Sequence, residues 1–370
     1  MIYLDHGATS WPKPEMVAQA ADRGLRYLGN PGRGGYPIAM DAARQVHRCR
    51  ELAGELFSCR PENVVLTCNC THGLNMAIRT LVRPGARVVI SGFEHNAVTR
   101  PLHGLGARVE VAGRRLFDPE DTLSAFEAVL KTKPDVAVFT HVSNVFGYIL
   151  PVERLAELCR SHEVPFIVDA AQSAGSLEVN MENLGANFIA MPGHKGLQGP
   201  MGTGLLLCRC LPEPLLLGGT GSLSAQQEMP DFLPDRGEAG TANVPGICGL
   251  AAGLEWVRRT GLKTIAHREA QAAARAAEGL RAMGLRVFSG PNQGGTLSFL
   301  PPDGDCEAAA EKLARRGLCL RAGLHCAPLA HESAGTLETG TLRASFGPQA
   351  NDSQVRGLLR AARGVFSTEA

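Results

Sequence analysis

The hydrophobic pattern of the chain becomes regular near residue 64. From there to about residue 208, short apolar runs alternate with longer amphipathic stretches, and most runs are apolar at every position. A strand that is covered on both faces of its sheet has this uniformly apolar character. The runs predict seven strands, at 64–67, 87–91, 108–111, 136–140, 166–169, 187–190 and 204–208.

The stretches between these strands have the spacing of amphipathic helices, for example at 72–82, 121–131 and 152–161. Strands that alternate with helices form mostly parallel sheets with helices on both faces. We therefore predict an α/β fold that contains a mostly parallel, doubly wound sheet.

The chain after residue 208 follows a different plan. Residues 210–245 are rich in Gly, Pro, Ser and Gln and predict a long irregular segment, which in a compact domain is often functional. The later pattern predicts a helical region at 246–283, two short strands within 285–299, a helix at 305–316, strands at 318–321 and 341–346, and a helix at 352–363. Since 370 residues exceed the usual size of one core, we expect a large α/β domain of residues 15–250 and a smaller α+β domain of residues 1–14 and 251–370.

Composition and charge exclude several classes of protein. The formal net charge is +1, from 37 basic and 36 acidic residues, which gives no electrostatic reason to bind nucleic acid or an anionic membrane. We find no run of eighteen apolar residues and no secretory signal at the start, so we expect a cytoplasmic protein. The eleven cysteines are scattered and never spaced C-x-x-C, which favours buried thiols in a reducing compartment over a zinc site.

Candidate chemistry begins with a lysine and an aspartate at the ends of two consecutive predicted strands. Asp169 ends the apolar run 165–168, and Lys195 follows the run 188–190. Such a pair can hold the two ends of a pyridoxal phosphate (PLP) ring, because the lysine bonds to the aldehyde and the aspartate stabilises the protonated pyridine nitrogen. Taken alone, a lysine and an aspartate of this kind more commonly form a surface salt bridge.

Other polar residues follow the remaining strands, at the edge where ligands bind in open α/β sheets. Thr71 opens a helix that could bind a phosphate, although a plain helix cap is the commoner role of such a threonine. His95 could lie on a planar cofactor and move protons, and Asn144 could bond a ring hydroxyl or a carboxylate. Compatible groups at five strand ends favour one shared site.

A second cluster lies near the carboxyl terminus. Arg321 and Arg343 lie on two predicted strands, and an arginine fork is the preferred partner of a carboxylate. Cys326 lies in a turn bounded by Gly and Pro, with His325 beside it. Surroundings of this kind can make a thiol nucleophilic, whereas a buried and inert cysteine is the alternative.

Taken in order, these motifs resemble the class V aminotransferase-fold PLP enzymes, and among them the cysteine desulfurase and selenocysteine lyase group. The resemblance spans nearly the whole chain. The residues that carry it are YLDHGATS at 3–10 (YLDNAAT in the family), GNPGRG at 29–34, EH at 94–95, HVSNVFG at 141–147, VDAAQSAG at 168–175, GHKGLQGPMGTG at 193–204, RAGLHCAP at 321–328 and LRASFG at 342–347. The resemblance implies PLP-dependent transferase fold type I.

The resemblance also implies roles for individual residues. Lys195 would bond to the cofactor, His95 would stack on its ring and act as acid and base, and Cys326 would form a persulfide. The residues implied to bind the cofactor are Lys195, Asp169, Gln172, His95, Thr71, His72, His194 and Thr241, the last from a partner subunit. Asn144 and Arg343 would bind the substrate carboxylate, with Arg321 near it.

The function that the resemblance implies is conversion of L-cysteine to L-alanine by a homodimer that passes the sulfur to a protein acceptor, with PLP as cofactor and without a metal. A selenocysteine lyase or another C–S or C–Se lyase is the alternative, and an aminotransferase a weaker one. Two departures affect the phosphate ligands: Pro192 replaces the family's Ser or Thr, and 69–72 differs from the usual Gly-Thr-Thr-Glu. The short turn at Cys326 is similar to that of the family members whose reactive cysteine is poorly mobile. Enzymes of that group rely on an acceptor protein.

Overall fold

The computed structural model of the protein describes residues 1–32 and 34–366; Arg33, in the 29–34 motif, and residues 367–370 lie outside it. The helices are α1 Glu15–Tyr27, α2 Pro37–Phe57, α3 Cys70–Leu81, α4 Asn96–Gly104, α5 Pro119–Leu130, α6 Val152–Ser161, α7 Met181–Leu184, α8 Val244–Thr260, α9 Leu262–Arg281, α10 Cys306–Arg315, α11 Pro328–Ala334 and α12 Asp352–Phe366. The strands are β1 Ile2–Tyr3, β2 Val64–Thr67, β3 Arg87–Ser91, β4 Arg108–Ala112, β5 Val136–Thr140, β6 Phe166–Asp169, β7 Phe188–Pro192, β8 Gly204–Cys208, β9 Arg286–Phe288, β10 Thr296–Leu300, β11 Leu318–Cys319, β12 Arg321–Gly323 and β13 Thr341–Ser345.

All seven strands predicted between residues 64 and 208 are present and form one sheet. The strand order is β2-β8-β7-β6-β5-β3-β4. Neighbours from β7 to β4 run parallel, whereas β8 runs antiparallel to both β7 and β2. The prediction of a mostly parallel α/β sheet is therefore confirmed, and the carboxyl ends of β3, β5, β6 and β7 meet at one edge.

The uniform apolar character of the strands has the expected cause. In β5, Ala137 and Phe139 pack into the apolar cluster on one face of the sheet, and Val136 and Val138 pack into the cluster on the other. All five residues of β5 are buried. Because successive side chains of a strand point to opposite faces, helices on both faces require apolar residues at every position.

The remaining strands form two smaller sheets. One has the order β12-β13-β10-β9 and is antiparallel, and the other pairs β1 with β11. They enclose a separate apolar cluster that includes Leu4, Leu297 and Phe299. The pairing of the first residues with β11 supports the predicted composition of the smaller domain, whose boundaries stay a prediction.

Two sequence predictions in this part of the chain need correction. The helical region expected at 246–283 is two helices, α8 and α9, because Gly261 between them has a left-handed backbone with φ of 85°. The strand expected at 318–321 is divided into β11 and β12, which belong to different sheets. The irregular segment is present as predicted, since between β8 and α8 the structure contains only one short 3-10 helix, Asp235–Gly237.

Two kinds of feature are absent from the described residues. None of their helices is long and apolar enough to cross a membrane. They also contain no group of three or more His, Cys, Asp or Glu side chains placed to hold a metal ion.

Candidate active site

A cavity of about 100 Å³ opens at the carboxyl edge of the main sheet. Its walls are formed by Asn69, Cys70, Thr71, His95, Ala97, Thr140, Val142, Asn144, Asp169, Ala171, Gln172, Pro192, His194 and Lys195. A second cavity of about 320 Å³ shares Val142, Ala171, Gln172 and Lys195 with it. The structure thus brings together seven residues that the sequence predicted for one site, from five strand ends.

Lys195 is held in a tight turn after β7. A Cβ on Gly193 would lie 2.1 Å from Thr203 Oγ1, and a Cβ on Gly196 would lie 2.2 Å from the carbonyl oxygen of Ala174, so both positions require glycine. The amino-terminal segment covers the turn, because the Ser10 hydroxyl donates to the carbonyl oxygen of Lys195 at 2.9 Å. These contacts fix the backbone from which the lysine side chain enters the cavity.

Asp169, at the end of β6, lines the same cavity as Lys195. The carboxylate is 2% exposed, and its Oδ1 accepts a hydrogen bond of 2.8 Å from the backbone N–H of Ala171. Burial raises the pKa of Asp169, against the effect of the Ala171 N–H and the Lys195 charge. Burial likewise lowers the pKa of Lys195, against the charge of Asp169. The site therefore favours a lysine that is more easily deprotonated than one in water.

His95 is the residue that caps α4. Its Nδ1 accepts a hydrogen bond of 3.0 Å from the backbone N–H of Ala97, which leaves Nε2 to carry the ring proton. Burial, together with the nearby charges of Lys195 and Arg343, lowers the pKa of His95 to about 4. The ring is therefore neutral near pH 7 and fixed in orientation by the helix that it caps.

One end of the cavity carries groups that suit an anion. The side chain of Asn69 caps α3 by accepting from the backbone N–H of His72 at 2.9 Å. Cys70 and Thr71 form the first turn of this helix, where free N–H groups and the helix dipole favour a negative charge. His194 lines the same wall, whereas Pro192 has neither a hydroxyl nor an N–H to offer.

A buried arginine lies on β13, beside the cavity. Arg343 is 3% exposed; its Nη1 donates to the carbonyl oxygen of Asn144 at 3.0 Å and its Nη2 to Asp5 Oδ1 at 2.9 Å. Its Nε is buried and has no acceptor among the residues that the structure describes. Arg321 donates to the same aspartate at 2.8 Å, and its own side chain is 52% exposed.

Cys326 lies in the turn between β12 and α11. His325 and Cys326 both have left-handed backbones, with φ of 50° and 57°, and the cysteine is exposed. Two hydrogen bonds connect this turn to the cavity: the backbone N–H of Asn96 donates to the carbonyl oxygen of Cys326 at 2.7 Å, and Asn144 Nδ2 donates to that of His325 at 2.8 Å. The turn is therefore held beside Asn144 of the cavity wall and beside Asn96, which lies between the lining residues His95 and Ala97.

Comparison with known proteins agrees with this arrangement. The family model described as aminotransferase class-V matches residues 2–358. The chain belongs to the class V aminotransferase family.

Three similar proteins illustrate where this class V protein falls within the family. It is 33% identical to a probable cysteine desulfurase of Methanothermobacter thermautotrophicus, over 93% of this chain and 90% of that one. It is 30% identical to the apo structure of a cysteine desulfurase from Thermococcus onnurineus NA1, with a TM-score of 0.89 over 99% of this chain and 94% of that one. A cysteine desulfurase from Escherichia coli is similar at 28% identity and a TM-score of 0.85, over 98% of this chain and 94% of that one.

Two of the residues predicted to bind the cofactor do not line the cavity. His72 Nδ1 accepts from the backbone N–H of Cys68 at 3.4 Å, and its side chain is not among the lining groups. Thr241 is exposed and is also not among the lining groups; its assignment to a partner subunit stays a prediction.

Two residues that sequence reasoning missed contact the predicted ones. Asp5 bridges Arg321 and Arg343, and Cys70 Sγ lies 3.6 Å from Asp169 Oδ1. Asp5 belonged to a quoted motif, but its spatial neighbours are 316 and 338 residues away in sequence. Cys70 was visible only as a departure from the family's usual 69–72 pattern.

Proposed function

We propose that this protein is a PLP-dependent cysteine desulfurase that forms a persulfide on Cys326. The observation that carries the proposal is the junction of the Lys195–Asp169 cavity with the Cys326 turn through Asn144 and Asn96. A reactive thiol would therefore lie beside the groups that activate the substrate. The cysteine desulfurases with which the chain aligns over nearly its full length support the same function.

The donor set of the cavity fits PLP. Lys195 supplies an amine for the aldehyde, Asp169 a buried carboxylate for the pyridine nitrogen, and the first turn of α3 a site for the phosphate. When bound, PLP would draw electrons away from the α-carbon of an amino acid. Thr71 and His194 would add polar contacts at the phosphate, and Gln172 would lie near the ring hydroxyl. Since Pro192 donates nothing, α3 backbone groups would replace the contact that the family's hydroxyl makes.

Arg343 and Asn144 would bind the carboxylate of the substrate. The Arg343 Nε–H is buried without an acceptor in the described part of the chain, and such a group costs stability unless something pairs with it. A substrate carboxylate would supply the acceptor. Asp5 holds Nη2 of the same guanidinium, so that the fork is oriented before the substrate enters.

Lys195 and His95 would move the protons. Burial lowers the pKa of the lysine, so its amine can take the α-proton, and the neutral His95 ring can exchange a proton through its Nε2. The Cys326 thiolate would attack the sulfur of the substrate, forming an S–S bond as the C–S bond breaks. The products are alanine and a persulfide on Cys326, whose outer sulfur then passes to an acceptor thiol.

The experiment that tests the function is release of alanine from L-cysteine by the purified, PLP-loaded protein in the presence of a reducing thiol. We expect alanine and sulfide in equal amounts, because each turnover removes one sulfur atom. PLP binding without alanine release from L-cysteine would contradict the desulfurase proposal while leaving the cofactor assignment intact.

Replacing Arg343 by lysine tests the carboxylate site. We expect KM for L-cysteine to rise roughly 30-fold, since one charge-assisted hydrogen bond contributes about 2 kcal/mol and a lysine cannot form a two-pronged contact. The measurement is alanine release over a range of cysteine concentrations. Arg315→Lys, in an exposed pair with Glu311, is the matched control and should leave KM unchanged. Equal KM values for the two variants would remove Arg343 from the substrate site.

We also propose that the protein is a homodimer and that a separate protein accepts its sulfur. Thr241 would reach the partner's phosphate site from a loop that the buried Arg50–Glu238 pair anchors at 2.6 Å. Large apolar side chains are exposed in and near the irregular segment, as is typical of an interface: Met201, Leu211, Leu215, Leu216, Leu217, Leu223 and Phe232. The exposed Cys326, beside exposed Leu324, is open to an acceptor.

A further inference from the structure

The first residue of α3 contacts the aspartate of the cavity. Cys70 is 8% exposed, and its Sγ lies 3.6 Å from Asp169 Oδ1, within the range of a thiol hydrogen bond. Both residues line the same cavity wall. Asp169 Oδ1 also accepts the N–H of Ala171, so two donors converge on one carboxylate oxygen. In the described residues no donor contacts Oδ2, which leaves that oxygen for a ligand in the cavity.

We infer that Cys70 is a positioning residue that holds Asp169 with Oδ2 directed at the ring nitrogen of the cofactor and keeps the carboxylate ionised. The inference rests on the proposed use of PLP. A thiol is a weak donor, and a hydrogen bond to the charged form of a carboxylate favours that form. Since burial alone favours a neutral acid, a second donor on Oδ1 opposes the effect of the apolar surroundings.

The surroundings of Cys70 keep it a donor rather than a nucleophile. Burial, and then the charge of Asp169, raise the pKa of the Cys70 thiol well above its ordinary value. A protonated thiol donates its hydrogen to the carboxylate and does not attack a substrate sulfur. Two cysteines of this chain therefore differ in role: Cys326 is exposed in its turn, whereas Cys70 is enclosed in the cofactor wall.

The test compares Cys70→Ala and Cys70→Ser with the parent protein, each titrated with PLP and followed by absorbance. In Cys70→Ala the Asp169 carboxylate becomes more basic and draws the ring proton closer, so the ring nitrogen carries less positive charge. The lysine–cofactor linkage is then easier to protonate. We expect the pH midpoint of the visible absorbance band to rise by about 0.5 unit and PLP to bind roughly fivefold more weakly. Cys70→Ser, which keeps a donor, should restore both values toward those of the parent.

A matched control separates this effect from lost packing. Cys208→Ala removes another buried thiol from the same apolar cluster, on β8 and outside the cavity wall, and should leave the absorbance midpoint unchanged. A Cys70→Ala protein identical to the parent in both measurements would overturn the inference, as would a Cys70→Ser protein as impaired as Cys70→Ala. A parent protein that binds no PLP would instead contradict the proposed function.

Discussion

Replacing Lys195 by alanine is expected to reduce alanine formation from L-cysteine by roughly 10³-fold or more, because one side chain both bonds to the cofactor and moves the α-proton. The proposed double role rests on two observations: the lysine lines the same cavity as Asp169, and burial lowers the pKa of its amine. The measurement is alanine release under saturating cysteine and PLP. Lys131→Ala, which removes an exposed lysine paired with Glu127, is the control and should keep full activity.

A second readout of the Lys195 variant does not depend on turnover. Borohydride reduces a lysine–aldehyde bond to a stable amine, so the treated parent should retain the cofactor after denaturation, attached to the peptide that contains Lys195. The Lys195→Ala protein should release all of its cofactor under the same conditions. Cofactor fixed to a different lysine, or an active variant, would show that the site has been assigned to the wrong residue.

The main sheet could be predicted because the apolar pattern of each strand indicates burial on both faces. A strand buried on both faces is apolar throughout, as β5 shows, and the polar residue that ends it lies at the ligand edge. The positions of Asp169, Lys195, His95 and Asn144 after successive strands therefore predict one shared site from topology alone. The structure brings all four into one cavity.

Other features depend on contacts that periodicity does not encode. No element was predicted for residues 15–57, where the structure has α1 and α2. The second of these helices contributes Cys49, Leu52, Ala53 and Phe57 to the large apolar cluster on one face of the main sheet. The boundary between α8 and α9 at Gly261 could not be predicted, because apolar residues continue with helical spacing on both sides of it. Glu238 lies beside the edge strand β2, where its Oε1 accepts a hydrogen bond from the backbone N–H of Leu66, 172 residues away, and no local pattern predicts this contact.

The different environments of the two arginines could not be predicted from the sequence either. Arg343 and Arg321 were both predicted to lie near the substrate carboxylate, but Asp5 separates their environments. Arg343 is buried, and its Nε has no acceptor among the residues that the structure describes, whereas the Arg321 side chain also contacts Asp5 but is half exposed. Only the geometry of the shared aspartate distinguishes the arginine that we propose to bind the carboxylate from the one that we propose to support it.

Replacing Cys326 by alanine is expected to reduce alanine release from L-cysteine by at least about 10²-fold, because no other group would accept the substrate sulfur. The Cys326 side chain is exposed, while its backbone is bonded to that of Asn96, next to the histidine of the cavity. Cys68→Ala is the matched control, since Cys68 is the other exposed cysteine of the chain, and it should retain full activity. Undiminished alanine release from the Cys326→Ala protein would refute the persulfide assignment.

The same variant separates a desulfurase from a selenocysteine lyase. Selenium leaves carbon more readily than sulfur, so a lyase that acts on selenocysteine needs no attacking thiol. The Cys326→Ala protein should therefore lose activity toward L-cysteine and L-selenocysteine together if the attack by Cys326 is obligatory for both. Activity retained toward selenocysteine alone would show that the Lys195–Asp169 cavity suffices for elimination and would move the function to the lyase. Because Cys326 does not line the proposed PLP cavity, the absorbance of the bound cofactor should be unchanged in either case. An unchanged absorbance would show that the variant is folded and loaded when its turnover is compared.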